Sequence, residues 1–136
     1  MIEKIIIMAR WNYFDKGDYY SEWHRIYEGI AYIDIDSVEC CKKCYEPLAI
    51  LETAMDKDHD NKAYTLIKKV ADEMKLPAFV VLYKHDGEKI SQFRVRRVSP
   101  KVSPTYRIAS PEEWLEYLRS LQNECKSCKG FQEVEW

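Results

Sequence analysis

Two C-x-x-C pairs constrain this chain more than any other feature. Cys41-Lys42-Lys43-Cys44 and Cys125-Lys126-Ser127-Cys128 take up four of its five cysteines. Two residues between thiolates is the spacing of a knuckle that turns both sulfurs toward one ion, and two knuckles complete a tetrahedral four-sulfur zinc site. Lys42, Lys43, Lys126 and Lys129 flank the pairs and offset the excess negative charge of zinc held by four thiolates. Gly130 supplies permissive backbone just beyond the second pair. Zinc ribbons usually place their knuckles ~15–20 residues apart. Here 80 residues lie between Cys44 and Cys125, so the fold has to bring the C-terminal segment back to the 41–44 turn. A thioredoxin-type pair would need its nucleophile at a helix start after a strand, and would need it twice. A disulfide framework would need an oxidising compartment. Four protein ligands leave no open coordination position, so the expected zinc is structural, with Cys40 a bystander.

A chain of 136 residues has room for a single domain spanning 1–136 with a real hydrophobic core. Hydrophobic residues make up 46% and charged residues 32%, with 4 Gly and 5 Pro, which excludes disordered, collagenous and low-complexity classes. The net charge of −2 exerts no global pull on nucleic acid or anionic lipid, so such a partner has to be met by a local patch. The longest aliphatic run, Ile5 to Ala9, lies between Glu3 and Arg10 and is far shorter than the ~20 residues of a membrane span. The expectation is a soluble, cytoplasmic protein without a membrane partner.

Residues 2–9 read as a buried strand. Asp18 is placed to cap a helix over about 19–28, with Tyr19, Trp23, Ile26 and Tyr27 on one face and Gly29 at its end. Residues 30–40 and 47–53 read as a hairpin with the first knuckle at its tip. The clearest helix is 61–74, where Ala63, Leu66, Ile67, Val70, Ala71 and Met74 form one stripe and Asp60 is placed to cap it. Ala78 to Tyr83 is a continuous apolar run suited to a buried central strand. A strand follows over 88–98, then a Pro/Ser loop. Ser110-Pro111-Glu112-Glu113 announces a capped helix whose buried face is Trp114, Tyr117, Leu118 and Leu121. The fold class is therefore α/β (or α+β): a mixed sheet flanked by helices.

Two acids end apolar strands, Asp36 and Glu52. Period-2 alternation puts Leu48, Ile50 and Glu52 on one face, so Glu52 continues a core-facing row. A carboxylate there is costly unless paired, protonated or bound to a cation. Two on adjacent strands make a divalent-cation site, and oxygen ligands suit Mg²⁺ or Mn²⁺. The competing reading is a pair of exposed strand ends. Asp56-Lys57-Asp58-His59-Asp60 has the alternating acids of a calcium loop, but Asn61 stands where a Gly is required and Ile67 where a Glu is needed. It reads as a polar loop leading to a helix.

Trp23-His24-Arg25, Asp34-Ile35-Asp36-Ser37-Val38-Glu39, Pro47-Leu48-Ala49-Ile50-Leu51-Glu52 and the run from Asn61 to Tyr83 follow one another in a familiar order. Over roughly residues 18–84 the chain resembles the PD-(D/E)XK nuclease-like family, in particular small phage-type members with a zinc knuckle. The resemblance implies a restriction-endonuclease-like sheet, a catalytic Mg²⁺ or Mn²⁺ on Asp36 and Glu52, and Glu22 as a supporting ligand. It also implies a lysine two residues after Glu52, where this chain has Ala54. Some relatives supply that amine from the following helix. Lys62 is the best-placed substitute and Lys84 the second.

From Lys89 to Ala109 there are Lys89, Arg94, Arg96, Arg97, Lys101 and Arg107, and no acid. Arg94 and Arg96 fall on one face of a strand, with Phe93 and Val95 on the other. Such a tract either grips phosphates without reading sequence or protects an edge strand. Two functions follow. One is a metal-dependent nuclease on DNA or RNA, with Arg94, Arg96, Arg97, Lys101 and Arg107 holding the backbone. The other is a non-catalytic, zinc-stabilised module that binds nucleic acid or another protein, for instance in phage–host conflict, with a protein partner or homodimer in view.

Overall fold

The computed structural model describes residues 18–59 and 62–128. The expected strand 2–9, the cap at Asp60, and Lys129 and Gly130 lie outside them. The chain divides into two compact units, 1–33 and 34–136. Within the first, helix α1 (Asp18–Arg25) carries Tyr19 and Trp23 of the predicted face, while Ile26 and Tyr27 lie beyond it. It stops three residues short of the expected end, and Trp23, Ile26 and Tyr27 are exposed. Tyr20, Trp23, His24 and Tyr32 form a ring cluster, with Tyr27 against Trp23.

The second unit is a five-stranded mixed sheet with a helix on each face. Strands β1 (Ser37–Cys40), β2 (Pro47–Met55), β3 (Ala78–Asp86), β4 (Lys89–Ser99) and β5 (Arg107–Ala109) lie side by side in chain order. Helix α2 (Thr65–Met74) connects β2 to β3, which therefore run parallel; every other neighbouring pair is antiparallel. Helix α3 (Pro111–Asn123) follows β5.

Alternation along the strands builds two cores. On one face Ala49, Leu51, Phe79 and Val81 are buried with Leu121 of α3, and Phe93, Val95, Trp114 and Tyr117 pack around them. On the other, Ile50, Val80, Leu82 and Val98 are buried with Ile67 and Ala71 of α2. β3 contributes to both, as a central strand with an unbroken apolar run must. Phe79 meets Trp114 and Tyr117 edge-on, at ring separations of 5.6 and 5.4 Å.

Helix α2 begins later than its stripe suggests. Tyr64 stands at the N-cap without a side-chain hydrogen bond, Ala63 precedes the helix, and Met74 is exposed at its end. Lys75 adopts a left-handed conformation (φ 58°) and closes the helix through its backbone N–H. Helix α3 starts as its sequence reads: the Ser110 hydroxyl accepts from Glu113 N–H, and the Glu113 carboxylate accepts from Ser110 N–H. The short β5 was not legible in the sequence.

One register matters for the site. Glu39 pairs with Ala49 but Cys40 with Pro47, leaving Leu48 as an extra residue in β2. Leu48 therefore joins the α3-side core, whereas Ile50 and Ala54 pack on the α2 side. The expected row Leu48–Ile50–Glu52 is corrected accordingly: Glu52 shares the α2 face with Ile50 and Ala54, and the bulge removes Leu48 from it.

Candidate metal centres

The β1–β2 hairpin carries the first knuckle at its tip. Cys41 N–H donates to Glu46 O and Tyr45 N–H to Cys41 O, both at 2.8 Å, and Tyr45 takes a positive φ of 63° to complete the turn. The second knuckle follows α3, which runs along the same sheet face and returns the chain to the hairpin tip. The sulfur atoms of Cys41, Cys44, Cys125 and Cys128 all lie within 4.8 Å of one another. Cys41 and Cys128 are 3.3 Å apart, and Cys44 and Cys125 3.5 Å. A tetrahedron with Zn–S bonds of ~2.3 Å has edges of about 3.8 Å, so the donor set fits zinc. Cys41 and Cys125 are buried at the end of the α3-side core.

Backbone amides aim at the sulfurs. Lys43 N–H donates to Cys41 Sγ at 3.4 Å and Cys128 N–H to Cys125 Sγ at 3.5 Å. The N–H groups of Cys44 and Lys43 hold the Cys41 thiol down to about 6. Its neighbours Cys41 and Cys44, together with burial, push Cys128 up to about 12. Without a cation the sulfurs compete for charge; a metal ion removes the conflict. Gln122, which sequence reading did not single out, clamps the knuckle from α3. It donates to Cys40 O at 2.9 Å and accepts from Lys42 N–H at 3.0 Å. Its only sequence signal is its place three residues before Cys125.

The carboxylate pair sits on the other face. Asp36, just before β1, accepts Thr53 N–H at 2.9 Å, and its carboxyl group lies close enough to that of Glu52 for each to shift the other's titration. Lys62, ahead of α2, brings its Nζ to 3.7 Å from Glu52 Oε1. The three groups thus converge. Glu52 is buried, and desolvation, reinforced by the hydrogen bond and charge of Asp36, pushes its carboxyl up to about 7. Asp36 loses some solvation too, but Thr53 N–H, Glu52 and Lys62 together hold it below the ordinary carboxylate range. One carboxyl of the pair is thus readily ionised and the other is not. Glu22 is exposed on α1, in the first unit.

Lys84, the second lysine considered, pairs with Asp58 at 3.1 Å. The loop that begins at Asp56 is tied to the sheet through that residue. Asp56, its side chain 1% exposed, forms a two-pronged ion pair with Arg94 at 2.8 and 3.0 Å, which holds its carboxyl down to about 2.

The basic tract is divided by the pleat of β4. Arg94 faces Asp56 and also donates to His59 O at 3.2 Å, so its guanidinium braces a loop where a phosphate grip was expected. Arg96 lies on the same face, donates to Ser103 O at 2.8 Å, and sits over the Tyr64 and Tyr106 rings. Arg97 lies on the opposite face over Phe79. Lys101 and Arg107 are exposed.

Among the described residues no helix is long and apolar enough to cross a membrane. No family model matches the sequence, and no curated protein or solved structure matches the chain.

Proposed function

We propose that the chain is a divalent-metal-dependent phosphodiesterase on nucleic acid, with a PD-(D/E)XK-like core and a structural zinc in the four-cysteine site. The observation that carries this reading is the convergence of Asp36, Glu52 and Lys62 on the α2 face. The order antiparallel hairpin, helix, parallel strand agrees with that core. The donor set fits a hard cation: two carboxylates, one desolvated and short of compensating charge, with an amine alongside. Asp36 and Glu52 would hold Mg²⁺ or Mn²⁺, which when bound polarises phosphate and acidifies water. Thr53 N–H orients Asp36. Lys62 supplies the amine that Ala54 cannot, positioning the attacking water or neutralising phosphate charge.

Cleavage should require added Mg²⁺ or Mn²⁺. Asp36→Asn and Glu52→Gln should each abolish it while leaving zinc content unchanged, and Lys62→Ala should slow it roughly 10²-fold. Turnover that survives Glu52→Gln refutes the centre. Ala54 itself favours the second reading, a non-catalytic binding module. If wild-type protein cleaves no single-stranded, duplex or RNA substrate, that reading takes over. Recovery of turnover in Ala54→Lys would then show that the carboxylates are still correctly set.

A further inference from the structure

The cleft between β4, β5 and α3, on the sheet face opposite the carboxylates, has no part in that proposal. It encloses about 400 Å³, within the ~300–1,000 Å³ typical of small-ligand sites. One wall is aromatic: Trp114 and Tyr117 lie nearly parallel, 5.4 Å apart and tilted by 24°. Both are only partly buried, so ring surface remains toward the cleft. Beside it the lining is cationic. Arg97 lies with its guanidinium 5.2 Å from the centre of the Phe79 ring, its Nη2 3.5 Å from the Tyr117 hydroxyl, and Arg107 comes from β5. Both arginines are exposed. Thr105 adds a hydroxyl. The one acid, Glu113, already accepts Ser110 N–H at 2.8 Å and feels the charge of Arg107, leaving the cleft net cationic.

A planar wall beside two guanidiniums fits a ligand with an aromatic plane and an anion a few ångströms away. We infer that this cleft takes one unpaired nucleotide of a single strand, its base against Trp114 and its phosphate on Arg97 and Arg107. The choice of a nucleotide over another aromatic anion rests on the nuclease reading; the geometry of the cleft does not. Stacking covers both faces of a base inside a duplex, so an unpaired, unstacked base is what offers a face to Trp114. The phosphate contact is sequence-independent and charge-assisted. The basic tract thus acquires a division of labour: Arg94 and Arg96 brace the α2 face, and Arg97 and Arg107 meet the ligand.

The test is the binding of fluorescein-labelled hexathymidylate, measured by anisotropy without added Mg²⁺, against the same sequence in duplex form. Wild-type protein should bind the single strand at least about tenfold more tightly than the duplex. Arg107→Glu and Trp114→Leu should each weaken single-strand binding about tenfold or more, whereas Lys69→Glu, the same charge change on α2, should stay within about twofold. Arg107 is exposed, so its variant decides the matter if Trp114→Leu fails to fold. Equal binding of single strand and duplex, no binding at all, or unchanged affinity in Arg107→Glu overturns the inference. Glu52→Gln separates the two readings. Lost cleavage with the binding pattern intact supports both, no cleavage by wild type with that pattern intact removes only the nuclease, and cleavage without the pattern removes only the cleft.

Discussion

Replacing Glu52 with Gln should stabilise the protein above about pH 4.5, and to the full extent from about pH 7 upward. In the folded chain its carboxyl rises from 4.5 to about 7, which at about 1.4 kcal/mol per pH unit corresponds to roughly 3 kcal/mol. The side chain is only 12% exposed, so solvent screening reduces this little. The folded state holds the proton more tightly than the unfolded chain does. The stabilisation is therefore complete below about pH 4.5 and is lost as pH rises through about 7. Gln keeps the shape and can donate to Asp36 as the protonated acid does, but has no charge to desolvate. At pH 8 and without divalent ions, Glu52→Gln should melt about 10 °C above wild type, and at pH 4.5 the two should nearly coincide. Differential scanning calorimetry at both pH values measures this. Mg²⁺ at 100 times its dissociation constant should return about 2.7 kcal/mol to wild type and nothing to the variant. A variant that melts lower at pH 8, or a difference that does not change between pH 4.5 and 8, would refute the reasoning.

Reduced protein should carry about one Zn²⁺ per chain by metal analysis; Cys128→Ser should lose it and Cys40→Ser retain it. Gln122→Ala removes two hydrogen bonds from the first knuckle, so it should cost about 1–3 kcal/mol and hasten zinc loss to a chelator, followed with a colorimetric indicator. Arg94→Ala strands the buried Asp56 charge and should cost about 3–5 kcal/mol in denaturant unfolding. In wild type the Asp56 contribution is present above about pH 3.8 and fades as pH falls toward about 2. Loss of nucleic-acid binding in Arg94→Ala therefore reports on stability as much as on contact.

The parts of the fold legible in the sequence are those governed by short-range chemistry. Ser110, Pro111 and Glu113 specify their cap whatever surrounds them. The run Ala78 to Tyr83 reads as a central strand because it is apolar on both faces. The two knuckles could be paired on coordination chemistry alone, although 80 residues separate them. Long-range geometry was harder. The bulge at Leu48 depends on how β1 pairs with β2, and one displaced residue reassigned a side chain to the opposite core. The basic tract read as one surface because charge is additive in sequence, whereas a strand sends alternate residues to opposite faces. Asp56 as the partner of Arg94, and Gln122 as the clamp, have no local signature: each is defined by what another segment places beside it.

The chain-order sheet has a kinetic corollary. Each strand of β1–β5 docks beside the one before it, through closures of six residues at the first knuckle, 22 through α2, two between β3 and β4 and seven before β5. Joining Cys41 and Cys44 to Cys125 and Cys128 spans about 80 residues and costs about 2 kcal/mol more loop entropy than the six-residue turn. That closure belongs late on the folding route, after the rate-limiting barrier. Zinc should then leave the refolding limb of a chevron plot nearly flat to metal concentration while steeply slowing the unfolding limb. The ion would govern how long a folded molecule lasts, not how quickly one forms.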